Sequence, residues 1–242
     1  MAIKNINLNN QNFEINYEIL NPTNQETIVF LHGWGSNKDV MKTAFAKVLK
    51  TYKHIYIDMP GFGKSTNEYI LTTCDYADIL NEFFISLSID KEETTIAGHS
   101  FGGKVATLLS PKHLILLSTA GILEEKSSKV KAKIRFAKIA NKLGFSFFSK
   151  LFRSKDVESM SENMYSTFKN VVDEDFSQKF KNYNGKTTIF WGKSDTATSI
   201  ASGKIIHKLI SNSRFYDFDG DHYFFLKHAQ EIDNILNKNE GK

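Results

Sequence analysis

The chain has 242 residues, 41% hydrophobic and 24% charged, which suits one large domain with a buried core rather than a disordered chain. The formal charge of +4 does not point to nucleic acid, and the single cysteine, Cys74, excludes an intramolecular disulfide. No run approaches the roughly eighteen apolar residues of a membrane span, and "MAIKNINLNNQNF" lacks the apolar stretch of a signal peptide, so a cytoplasmic setting is expected.

Along the chain, residues 12–20 alternate loosely, as in an antiparallel edge strand. Short apolar runs then recur between helical patterns. Residues 27–31 read as a buried strand, "MKTAFAKVLK" as a helix and "HIYID" as a second buried strand. Residues 72–87 place Tyr76, Ile79, Leu80, Phe83, Phe84 and Leu87 on one helical face. "TTIAG" is a third strand, followed by a helix over 100–110 that Pro111 ends, and "HLILLST" is a fourth. Beyond residue 185, "TTIFWG", a helix over 199–210, "RFYDF" and a helix over 223–237 continue the rhythm. Strands alternating with helices predict an α/β fold: a mostly parallel central sheet flanked by helices.

Residues 121–185 break that rhythm. They lack short buried strands and read as two or three helices, with a dense aromatic stretch, "GFSFFSKLF". The expected division is a core of residues 1–120 and 186–242, with a helical cap, or lid, over 121–185. An ordinary helical hairpin against the sheet is the alternative.

The chemistry centres on Gly98-His99-Ser100-Phe101-Gly102, a G-x-S-x-G. Chance supplies such a motif in about one chain in twelve of this length, so the motif alone decides little. Its context decides more, because a buried strand precedes it and a helix follows. A serine on a sharp strand-to-helix turn is strained, and the residues two before and two after must be tiny. The turn presents the Ser100 hydroxyl and sets the Phe101 N–H at a helix N-terminus, where it can meet an oxyanion.

A hydroxyl nucleophile needs a base. Seven histidines compete. His99 adjoins the serine but should point away, while His32, His54, His113, His207 and His228 read as structural or surface residues. His222, in "DGDHYFF", falls between the last strand and last helix, where a parallel sheet gathers its loops at the serine's edge. The base needs an acid to orient it. Asp195 follows "TTIFWG" at that same edge. Asp217, Asp219 and Asp221 are the other candidates; Asp219 is the reserve, and Asp219 and Asp221 read mainly as turn residues. The Trp34 N–H, in "LHGWGS", is assigned as second oxyanion donor. "GFGKS" imitates the end of a phosphate loop but has Asp58 where that loop needs glycine. Asp58 therefore reads as a turn former and Cys74 as inert.

"HGWG", "DMPGFGKS", "GHSFGG", "WGKSD" and "GDHYFF", in this order, resemble the α/β-hydrolase superfamily over nearly the whole chain. The pattern is most similar to the branch that holds the pimeloyl-acyl-carrier-protein methyl ester esterases, and aromatic-degrading carbon–carbon bond hydrolases share much of it. The resemblance implies a serine carboxylesterase with catalytic Ser100, Asp195 and His222, and neither metal nor cofactor. A carbon–carbon bond hydrolase acting on a dienoate is the alternative enzyme, and a catalytically silent binding module is the alternative of another class.

Charge adds one expectation. Residues 121–155 hold ten Lys/Arg against two acids, and residues 156–175 hold six acids against one lysine. Lys131, Arg135, Lys138 and Lys142 fall at helical spacing and can form one basic face. Esterases of the resembled branch meet acidic acyl carrier proteins through basic cap residues. The expected partners are thus an ester substrate and an acidic acyl carrier, against a plain solvated helix.

Overall fold

The computed structural model describes residues 1–123 and 160–240. Lys131, Arg135, Lys138, Lys142 and the aromatic stretch 144–152 lie outside the described residues.

Among the described residues, eight strands are present: β1 (Ala2–Leu8), β2 (Gln11–Leu20), β3 (Thr27–Leu31), β4 (Lys53–Ile57), β5 (Thr95–His99), β6 (His113–Leu117), β7 (Lys186–Gly192) and β8 (Ser213–Phe218). They form one sheet in the order β1-β2-β4-β3-β5-β6-β7-β8. β1·β2 and β2·β4 are antiparallel, and every other neighbouring pair is parallel. β2 is antiparallel as expected but is not an edge strand, because β1 pairs outside it. Asn9 and Asn10 form the two-residue connection, both at positive φ (53° and 63°). Such a turn matches the twist of a hairpin and favours asparagine.

The α-helices among the described residues are α1 (Lys38–Phe45), α2 (Thr73–Ser86), α3 (Phe101–Leu109), α4 (Glu162–Val172), α5 (Ser177–Asn182), α6 (Ile200–Leu209) and α7 (Phe225–Glu240). α1 starts three residues before the periodicity predicts, because Asn37 caps it and accepts the Asp39 N–H, and it stops at Phe45. Thr72 and Asp75 form a reciprocal capping box that fixes the start of α2.

The central strands β3, β5 and β6 are buried throughout, so their side chains feed two cores by simple alternation. Val29 and Leu31 join one core with Tyr76, Phe83, Val105, Phe180 and Trp191. Ile28 and Phe30 join the other with Phe45, Tyr56, Phe225 and Ile232. Each fully buried side chain of this kind contributes roughly 1.5–3 kcal/mol. Part of the 121–185 segment belongs to this packing: Met164 and Val171 of α4 and Phe180 of α5 are buried in the first core.

The parallel register aligns the strand ends that matter. Leu31 lies opposite Gly98, His99 opposite Leu117, Leu117 opposite Phe190, and Gly192 opposite Phe218. The loops after β3, β5, β6, β7 and β8 therefore emerge along one edge.

Candidate active site

Ser100 occupies the turn from β5 to α3 with φ 51° and ψ −115°. A non-glycine residue held there stores strain of about 1–3 kcal/mol, tolerated only where the surroundings fix it. They do so here. The Ser100 N–H donates to the Leu117 carbonyl at 3.0 Å, and its carbonyl accepts from Gly103 at 3.1 Å and from Ala120 at 3.2 Å. A methyl on Gly98 would strike the backbone of Gly102 and Gly103, and one on Gly102 would strike the carbonyls of Leu31 and His32. The elbow needs glycine at both places for steric reasons alone.

The loop after β3 reaches the same point. A methyl on Gly33 would stand 3.2 Å from Ser100 Cβ and 3.0 Å from His99 Nδ1. Gly33 and Ser36 close a turn at 3.2 Å, which contains Trp34. The Trp34 indole packs on Phe62, Phe101 and Phe168 at centroid separations of 4.8, 5.5 and 5.4 Å. This loop is anchored from behind. Asp58, fully buried, pairs with Lys38 at 2.6 Å and accepts the N–H groups of Lys38 and Lys64 at 2.8 and 3.0 Å. Asp58 does shape a turn, but it is also half of a buried ion pair. His32 accepts the Met59 N–H at 3.0 Å through Nε2.

Asp195 and His222 come from the loops after β7 and β8. His222 Nδ1 donates to Asp195 Oδ2 at 2.8 Å. Asp195 also accepts the Ala197 and Thr198 N–H groups through Oδ1, at 2.8 and 3.0 Å, and the Thr198 hydroxyl through Oδ2, at 3.0 Å. Burial pushes the Asp195 carboxyl up, but the hydrogen bonds from His222 and Thr198 prevail and bring it down to about 2. An ionised Asp195 can only accept, so the proton on His222 sits on Nδ1 and leaves Nε2 free to act as a base. The His222 side chain keeps 17% of its surface exposed, whereas that of Asp195 keeps none.

The remaining acids and histidines are accounted for elsewhere. Asp219 pairs with Lys193 at 2.9 Å, and Asp221 accepts the Tyr223 N–H at 2.9 Å. His54 meets Tyr56 and Leu49, His113 meets Thr188, His207 meets Ser213, and His228 meets the Asp219 carbonyl. Cys74 is an exposed residue of α2.

Thr198 was not singled out by the sequence. Its hydroxyl lies 3.1 Å from the Ser118 carbonyl and 3.4 Å from His222 Nδ1, and its carbonyl accepts the Trp191 indole N–H at 2.9 Å. The readable signal is an Asp followed by backbone amides two and three residues on, a local turn that Asp-x-x-Thr favours.

A cavity of about 260 Å³ adjoins this edge, lined by Thr119, Ala120, Ile122, Leu123, Val172 and Thr198 among others. Ala120 bonds to the Ser100 backbone and Thr198 to Asp195, so two of its walls are shared with the site. A second cavity, near Lys186, Thr188 and Arg214, opens at the starts of β7 and β8, away from this chemistry.

Comparison with known proteins agrees with the architecture. Monoacylglycerol lipase abhd6-A of Xenopus laevis is 26% identical over 116 residues, which is 45% of this chain and 34% of that protein. Pimeloyl-[acyl-carrier protein] methyl ester esterase of Pectobacterium carotovorum subsp. carotovorum is 30% identical over 83 residues, 34% of this chain and 30% of that protein. The chain thus spans about a third of the length of these relatives. The esterase EaEST from Exiguobacterium antarcticum superposes with a TM-score of 0.75 at 21% identity, over 98% of this chain and 99% of that one. Residues 26–171 match the family described as alpha/beta hydrolase fold, and with the elbow at the end of β5 and the sheet order already given, the chain belongs to that family.

Proposed function

We propose that this chain is a serine hydrolase that cleaves carboxylic esters, with Ser100 as nucleophile, His222 as base and Asp195 as the acid that orients it. The observation that carries the reading is the strained Ser100 elbow sharing one sheet edge with the 2.8 Å Asp195–His222 hydrogen bond.

In this reading Ser100 Oγ attacks the ester carbonyl carbon while its proton passes to His222 Nε2. The carbonyl oxygen gains the charge and takes hydrogen bonds from the Trp34 and Phe101 N–H groups. Collapse expels the alcohol, which leaves with the proton from His222. Water, deprotonated by His222, then attacks the acyl-serine, and the acid departs as Ser100 recovers its proton. Asp195 stays ionised and stabilises the imidazolium.

The substrate belongs to the same proposal. The cavity beside Ala120 and Thr198 carries apolar walls from Ile122, Leu123 and Val172, which suit an acyl or alkyl group. We read residues 121–185 as a cap over the site and the basic run within them as a contact for an acidic acyl carrier, in a cytoplasmic setting. Reversing Lys131, Arg135 and Lys138 to glutamate tests the carrier contact: hydrolysis of a carrier-bound ester should fall while that of a small ester is kept. A panel of p-nitrophenyl esters of increasing acyl length, with one dienoate, tests the bond cleaved. Turnover of the dienoate alone contradicts the ester reading.

A further inference from the structure

His99 links the three loops of the site. It ends β5 next to Ser100 and is 1% exposed. Its Nε2 stands 3.0 Å from the main-chain carbonyl of His222. A carbonyl only accepts, so Nε2 carries the proton. Nδ1 is buried without a hydrogen-bond partner among the described residues, and it faces Gly33, where an added methyl would lie 3.0 Å away. The ring also touches the rings of His222, Tyr223 and Phe225, at centroid separations of 4.5, 5.0 and 4.9 Å. Burial, reinforced by the nearby His222, brings the imidazole down to about 3, so it is neutral in ordinary buffers.

A polar ring buried with one nitrogen unpartnered is a poor choice for packing alone, since an aliphatic side chain would fill the space without that cost. What an aliphatic group lacks is the donor that reaches His222. We infer that His99 is a positioning residue: through its bond to the His222 carbonyl and its contact with Gly33, it sets the distance between the nucleophile elbow and the loops that carry the base and the Trp34 amide. The inference rests on the serine hydrolase reading above. A displacement of about 1 Å in such a site costs on the order of a hundredfold in rate.

The test compares His99→Leu, which keeps bulk without a donor, with His99→Gln, whose amide nitrogen reaches about as far as Nε2. Steady-state hydrolysis of a p-nitrophenyl ester and thermal melting are measured on both. The expected result is a kcat at least about tenfold lower for His99→Leu, with KM and melting temperature close to those of the starting chain. His99→Gln should recover kcat to within about threefold. Should His99→Leu not fold, His99→Asn replaces it, because its shorter amide stops short of His222 and the same loss is expected. Unchanged kcat in His99→Leu, or equal losses in the Leu and Gln variants, overturns the inference. Labelling by a fluorophosphonate that disappears in Ser100→Ala checks the underlying reading. With that labelling in place, a null result at His99 defeats this inference alone; without it, both fall.

Discussion

Asp195 and His222 belong to different strand-end loops, yet Oδ2 of one and Nδ1 of the other meet at 2.8 Å, and the acid is wholly buried while the base keeps an exposed edge. The carboxylate fixes the tautomer of the ring and leaves the other nitrogen bare. Asp195→Asn removes the negative charge and offers an amide in its place. Ester hydrolysis should lose about 10³–10⁴-fold in kcat, with substrate binding little affected. Steady-state kinetics on a p-nitrophenyl ester measure it.

The same pair gives a stability signature in acid. The folded-state value of Asp195 lies below its ordinary 3.8, at about 2. Its contribution is therefore present above pH 3.8 and is lost as the pH falls through 2, because the unfolded chain takes up the proton first. The chain should lose about 2 kcal/mol of unfolding free energy at this site across that window, and Asp195→Asn should lack this component. Urea titrations of both proteins at steps between pH 5 and pH 2 provide the comparison.

Lys38 and Asp58 form a buried pair at 2.6 Å, and Asp58 serves two backbone N–H groups besides. Breaking a buried pair from one side leaves the other charge stranded, at a cost of about 3–5 kcal/mol. Asp58→Ala also strands the amides of Lys38 and Lys64, so it should destabilise more than Lys38→Met. The double variant should lose less than the sum of the two single losses. Chemical denaturation of the three variants decides this.

Gly102 has no room for a side chain, since a methyl would meet the carbonyls of Leu31 and His32. Gly102→Ala should cost about 3 kcal/mol or more, because the obstacle is backbone and must move with β3. Differential scanning calorimetry should show a clear fall in melting temperature, and an unchanged one would mean that the elbow and β3 are less tightly joined than described.

The order of elements was legible because the buried strands are short apolar runs and the helices between them keep a 3.6-residue period, as at Tyr76, Leu80 and Phe83. The Asp195–His222 pairing was legible because strand ends gather on one edge, which singled these two out from several acids and histidines. Other features escaped. β1 carries little apolar signal, and only the Asn9-Asn10 turn marks its hairpin with β2. Asp58 looked like a turn residue, because its partner Lys38 lies 20 positions away and nothing local announces a buried ion pair. His99 was expected to point away from the serine; that it would bond to the His222 carbonyl depended on two loops meeting in space.

In the proposed reaction Ser100 performs the chemistry. Ser100→Ala leaves the elbow's backbone bonds to Leu117, Gly103 and Ala120 in place and removes only the hydroxyl. Turnover of p-nitrophenyl esters by the starting chain and by Ser100→Ala, at equal folded concentration, is the direct measurement. A fall of about 10³-fold or more, with loss of fluorophosphonate labelling, is the predicted result. Full ester turnover by Ser100→Ala would contradict it.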